Sequence, residues 1–154
     1  MLALEQVTAE SEDALYRELY AGLPVPMPEL GGDGEHWRPP YGIVAGRRDG
    51  ALVGWVVYFA EEAGGGTAAL QWLMTERERE RITGGRNTQH PGTPAEIEAL
   101  TALAAEAADR AREAGYAQLR WNPAEPGFAE GIAAGLGAQP YDDPEGRRFY
   151  RLHL

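Results

Sequence analysis

The chain has 154 residues, 44% of them hydrophobic and 25% charged, which is the balance of one globular domain over 1–154 and excludes a disordered tail. Fourteen basic residues stand against 24 acidic ones, a formal net charge of −10 that repels a phosphate backbone and argues against a nucleic-acid partner. Cysteine is absent and every basic residue is arginine, which excludes disulfides, thiolate metal sites, cysteine nucleophiles, Schiff-base lysines and a Walker-type lysine. No apolar run approaches the roughly 20 residues of a membrane helix, and the first residues carry no basic signal region. The expectation is a cytoplasmic protein with no membrane role.

Residues 2–7 alternate and read as a short strand. Thr8 or Ser11 caps a helix whose apolar stripe includes Ala14, Leu15 and Leu19, and Gly22 and Pro24 stop it. Residues 22–40 are a Pro-rich loop holding Met27, His36 and Trp37, able to wall a pocket or simply to cross the surface. Three strands follow as an antiparallel meander: 41–45, 52–59 and 68–75, with Asp49-Gly50 as the first hairpin turn. The second of these is apolar nearly throughout and belongs at the centre of a sheet with both faces covered.

The Glu-Arg alternation over 76–81 reads as one exposed helical turn or a loop, a solvated charge run. The stretch 76–89 has one large apolar residue, Ile82, and is expected to be weakly held. Thr93-Pro94-Ala95-Glu96 is a capping box with proline at the first helical position, and Ile97, Leu100, Ala104, Ala107, Ala108 and Ala111 keep helical spacing up to Gly115. A strand at 116–121 completes a strand–helix–strand unit, which makes strands 68–75 and 116–121 parallel. A short helix at 127–136, stopped by Gly137, and a final pair of strands over 139–154 end the chain.

This order, with a loop-to-helix junction after the fourth strand, resembles the GNAT superfamily of acyl-CoA-dependent N-acetyltransferases over nearly the whole chain. Val44 to Trp55 is similar to the family's second hairpin, and Leu70-Gln71-Trp72-Leu73-Met74-Thr75 to its fourth strand. Gln89-His90-Pro91-Gly92-Thr93-Pro94 fits the family's Q/R-x-x-G-x-G/A motif except at Pro94, which deletes an amide. Asn122 matches a strand-end asparagine. The family's tyrosine acid, aligned on Leu136-Gly137, falls on Ala133, which would leave a vacant volume.

The resemblance implies an α/β (α+β) fold: a mixed, mainly antiparallel sheet with helices on both faces and a splayed parallel strand pair. It implies acetyl-CoA or another acyl-CoA as co-substrate, held by Leu73, Met74, Thr75, Gln89, His90, Pro91, Gly92, Thr93 and Asn122. A helix N-terminus presents unpaired amides to a diphosphate, and Gly92 admits close backbone approach. For the chemistry, Glu76 and His90 are candidate bases and Tyr141 a candidate acid replacing the missing tyrosine. Trp72, Trp121 and Trp37 are candidates for a substrate pocket, with core filling the alternative for each. No His or carboxylate pair has metal-ligand spacing, so no metal is expected. The expected activity is acyl transfer to the amine of a small molecule. The alternative is a GNAT-fold protein without acetyl transfer, which binds a small molecule or a partner or runs another reaction in the same cleft. A homodimer is left open.

Overall fold

The computed structural model describes residues 2–4, 14, 17–18, 42–60, 66–84, 92–121 and 128–154. Among them, seven strands form one sheet: β1 (Leu2–Leu4), β2 (Gly42–Arg48), β3 (Ala51–Ala60), β4 (Thr67–Thr75), β5 (Gln118–Trp121), β6 (Gln139–Asp142) and β7 (Arg148–His153). Their order across the sheet is β1-β2-β3-β4-β5-β7-β6. Only β4 and β5 run parallel; the other neighbours are antiparallel. Three helices accompany them: α1 (Glu76–Thr83), α2 (Pro94–Glu113) and α3 (Ala129–Leu136). Ala14, Arg17 and Glu18 have helical backbone, where a helix is expected after β1.

The hairpin between β2 and β3 turns at Asp49 (φ 53°) and Gly50 (φ 80°), two left-handed residues whose twist matches that of paired strands. On β3, Val56 and Tyr58 face the α2 side while Trp55 and Val57 face the other, and all four are buried. The strand is therefore covered on both faces, as its composition predicts. Against one face lie α2 and α3. Leu100, Leu103, Ala104, Ala107, Ala108 and Ala111 of α2 join Val44, Val56, Leu70, Leu119 and Trp121 in the main core, and small alanines let the helix sit close on the sheet.

Both ends of α2 follow from local chemistry. Thr93 accepts from the Glu96 amide at 3.2 Å and the Glu96 carboxylate accepts from the Thr93 amide at 2.9 Å, a complete capping box. At the other end Gly115 (φ 90°) lets the Tyr116 amide return to the Ala111 carbonyl at 3.0 Å and the Gly115 amide to Arg112. That closure uses the Tyr116 amide, so β5 begins at Gln118 rather than at 116.

The Glu-Arg run departs from the expectation. It is a two-turn α-helix, neither a loop nor a freely solvated turn. Thr75 accepts from the Glu78 amide at 3.1 Å and caps it. Arg79 pairs with Glu76 at 3.2 Å and reaches the Glu18 carbonyl, and Arg81 pairs with Glu78; the side chains of Glu78 and Arg81 are only 12% and 14% exposed. The signal was present as Thr75-x-x-Glu78, itself a capping-box pattern. Up to Gly84 the segment is helix and turn, and residues 85–89 lie outside the described part.

Candidate functional site

The sheet opens between its two parallel strands. Pairing of β4 with β5 runs from Thr67–Gln118 to Leu70–Trp121 and stops there. On the other side of β4, Tyr58 pairs with Leu70 and Val57 with Trp72, so Gln71 is one extra residue in β4. Such a bulge bends its strand and sharpens the local twist. It sits where β5 ends, so residues 71–75 continue along β3 alone. Among the described residues no strand pairs with their outer edge. The result is a wedge with an unpaired strand edge on one wall.

Two helix N-termini converge at the wedge mouth. Thr75 ends β4 and caps α1, and its hydroxyl also bonds the Glu96 carboxylate in the first turn of α2. Arg77 of α1 grips the same carboxylate through Nε at 3.2 Å and Nη2 at 2.6 Å. Burial alone would push the Glu96 carboxyl up. Only together do the Thr93 backbone amide, the Arg77 guanidinium and the Thr75 and Thr93 hydroxyls outweigh it, and the group is held below its ordinary range. Glu96 thus places an internal anion at the positive end of α2. Pro94 has no amide, and the box consumes those of Thr93 and Glu96. The Gly92 and Ala95 amides are the ones in this turn outside the box.

The third wall is α3. Trp121, at the end of β5, donates from its indole nitrogen to the Ala129 carbonyl at 3.0 Å and pins the start of α3. Phe128, just before α3, is buried, and its ring abuts the Gly92 Cα, so a Cβ at 92 would strike it. A groove of about 470 Å³ runs from this corner between α2 and α3, lined by Pro94, Ile97, Glu98, Thr101, Gly131 and Gly135.

The sequence-derived candidates divide accordingly. Met74, Thr75, Gly92 and Thr93 gather at the mouth, with Glu76 at the first position of α1, where it pairs with Arg79. Leu73 and Trp72 lie in β4, but their side chains are outside the described part, as are Trp37, Gln89, His90, Pro91 and Asn122 entirely. Three readings are corrected. Trp121 fills the core at 1% exposure instead of lining a pocket. Tyr141 is on the outermost strand β6, where its hydroxyl accepts from Arg120 at 3.4 Å; two strand spacings, about 10 Å, separate β6 from β5. Ala133 is buried in the packed core beside α2, so no tyrosine-sized vacancy stands there. Gly92 gains a structural cause, its contact with Phe128, besides backbone approach. Sequence reasoning missed Phe128, Arg77 and the second role of Glu96. The capping box signalled Glu96, but nothing local signalled that Arg77 would meet it.

Among the described residues no group of three or more His, Asp or Glu could hold a metal, and no helix is long and apolar enough to cross a membrane. No model of a known protein family matches the sequence, and no curated protein matches it by sequence. Solved structures do match by fold. The aminoglycoside 6′-N-acetyltransferase from Enterococcus faecium superposes with a TM-score of 0.58 at 13% identity, over 98% of this chain and 96% of that one. An acetyltransferase of the GNAT family from Staphylococcus aureus Mu50 gives 0.55 at 10% identity, over 100% and 99%. The PaiA N-acetyltransferase from Thermoplasma acidophilum, solved in complex with coenzyme A, gives 0.53 at 12%, over 100% and 99%. At these identities the likeness is one of architecture, and the described residues have the GNAT fold.

Proposed function

We propose that the protein is an acyl-CoA-dependent N-acyltransferase acting on the amine of a small molecule in the cytoplasm. The observation that carries this reading is the wedge beyond Leu70 and Trp121, with the N-terminus of α2 at its mouth. The residues present fit an acyl-CoA. The outer edge of residues 71–75 offers backbone groups to an extended arm bearing amides, and the Gly92 and Ala95 amides offer donors to a diphosphate. The bound thioester would supply the acyl group. A backbone amide near Met74 or Thr75 would donate to its carbonyl oxygen. Glu76, directly after β4, or His90 would take the proton of the attacking amine. With Tyr141 two strands from β5, the proton for the departing thiolate falls to water or to another donor.

A second reading rests on a specific observation. Glu96 already occupies the positive end of α2 and Pro94 removes an amide, an arrangement that suits a GNAT fold binding a small molecule or a partner without acyl transfer. Calorimetric titration with acetyl-CoA, followed by thiol release over a panel of amines, separates the two. Saturable binding with thiol release supports the transferase. Absence of acetyl-CoA binding overturns it in favour of the second reading.

A further inference from the structure

The sheet face turned away from α2 and α3 carries an arrangement that neither the core nor the wedge requires. Arg120 on β5 and Arg151 on β7 are direct cross-strand partners. Like charges directly opposite each other destabilise a strand pair. They are laid over a stacked aromatic pair: Tyr141 and Phe149, centroids 5.8 Å apart. The Arg120 guanidinium sits 4.4 Å above Phe149 and that of Arg151 sits 4.7 Å from the Tyr141 ring. Arg147 and Arg148 nearby are paired with Asp143, Glu145 and Asp142. Arg151 differs: its Nε is buried with no hydrogen-bond partner among the described residues. A buried unpaired donor on a charged group is costly to leave unmade.

The position of this pair gives it meaning. The row Ala69, Arg120, Arg151, Gln139 crosses the sheet one residue before the pair Leu70–Trp121, after which the wedge opens. Arg120 leans over Phe149, toward that open end. The α2 N-terminus approaches the wedge from the other face. Guanidinium forks match the planar geometry of a carboxylate, and the rings keep both arms extended.

We propose that the Arg120–Arg151 pair over Tyr141 and Phe149 binds the carboxylate of the acceptor, so that the acylated amine belongs to a molecule of amino-acid type. The assignment to an acceptor rests on the transferase reading; the anion site itself does not. The test is titration of the full chain, followed by NMR, with a panel of N-acetyl amino acids and their primary amides, product-like pairs differing only in the carboxylate. The acids bind at least about tenfold more tightly than the amides, as charge-assisted hydrogen bonds predict. Arg151→Gln reduces the acids to the level of the amides, and Arg151→Lys retains part of the preference. Equal binding of acid and amide by the native chain overturns the proposal whatever the variants do, and so does a preference that survives Arg151→Gln in a folded variant. Thiol release from acetyl-CoA is read separately with the parent amino acids and amino amides. No release from either, with the acid preference intact, removes the assignment to an acceptor, and absence of acetyl-CoA binding in calorimetry removes the transferase reading as well; both leave the anion site standing.

Discussion

Glu96 draws together a backbone amide, a guanidinium and two hydroxyls at the wedge mouth, and it serves structure and site in opposite senses. Its folded pKa is held below the ordinary 4.5, so its contribution to stability is fully present above that value and is lost as pH falls through the folded pKa. The urea midpoint gap between the native chain and Glu96→Gln is therefore constant from pH 7 to about 5 and shrinks below about 4.5. The same substitution removes an anion from the positive end of α2 and releases Arg77 from its pair. It lowers stability and raises acetyl-CoA affinity, which calorimetry beside a thermal melt reads directly. Thr93→Ala removes the other half of the box and costs about 1 kcal/mol in urea unfolding. An affinity that falls with Glu96→Gln would show the carboxylate to be a binding partner instead of a competitor. The capping box was legible because it is four consecutive residues. Its ties to Thr75 and Arg77 were not, since they join segments 19 or more residues apart.

At the scale of elements, α3 docks on α2 through two glycines one turn apart. A Cβ at Gly131 would lie 2.6 Å from Ile97 Cγ2, and one at Gly135 would lie 2.8 Å from Thr101 Cγ2. Ile97 is β-branched and stiff in a helix, and Thr101 is tied by its hydroxyl to the Ile97 carbonyl at 2.6 Å, so neither yields cheaply. In an exposed helix Gly→Ala stabilises by up to about 1 kcal/mol. Here the clash reverses the sign, and Gly131→Ala destabilises by about 1–3 kcal/mol in urea titration. Combining it with Ile97→Ala recovers part of that loss in a double-mutant cycle. Strict additivity would mean that the two helices do not meet at this point. The meander, the Asp49-Gly50 turn and the helix after Thr93 were all legible, because periodicity and turn chemistry are local. The α1 helix was misread because strict Glu-Arg alternation carries no apolar stripe. What holds it is Thr75 at its start and half-buried ion pairs along it.

For the whole molecule, the decisive feature is one residue of excess in β4. Strand order could be inferred from the strand–helix–strand unit, but the bulge could not. It exists only in the pairing of β4 with β3, and no single segment encodes a register. Without Gln71, Leu70 and Trp72 would be neighbours facing Tyr58 and Val57, which are already neighbours on β3. The ladder on either side would keep its pairing and no side chain would change face, so deletion of Gln71 removes the bend and leaves the register intact. The straightened β4 then continues beside the line of β5 instead of parting from it, and the wedge narrows. The deletion variant is expected to stay folded, with a far-ultraviolet spectrum like that of the native chain. On the transferase reading, acetyl-CoA at 100 times the dissociation constant stabilises the native chain by about 2.7 kcal/mol, and the variant loses this effect. A deletion variant that melts cooperatively and is still stabilised by acetyl-CoA would move the ligand away from β4, and one that fails to fold would show the bulge to be required by the sheet itself.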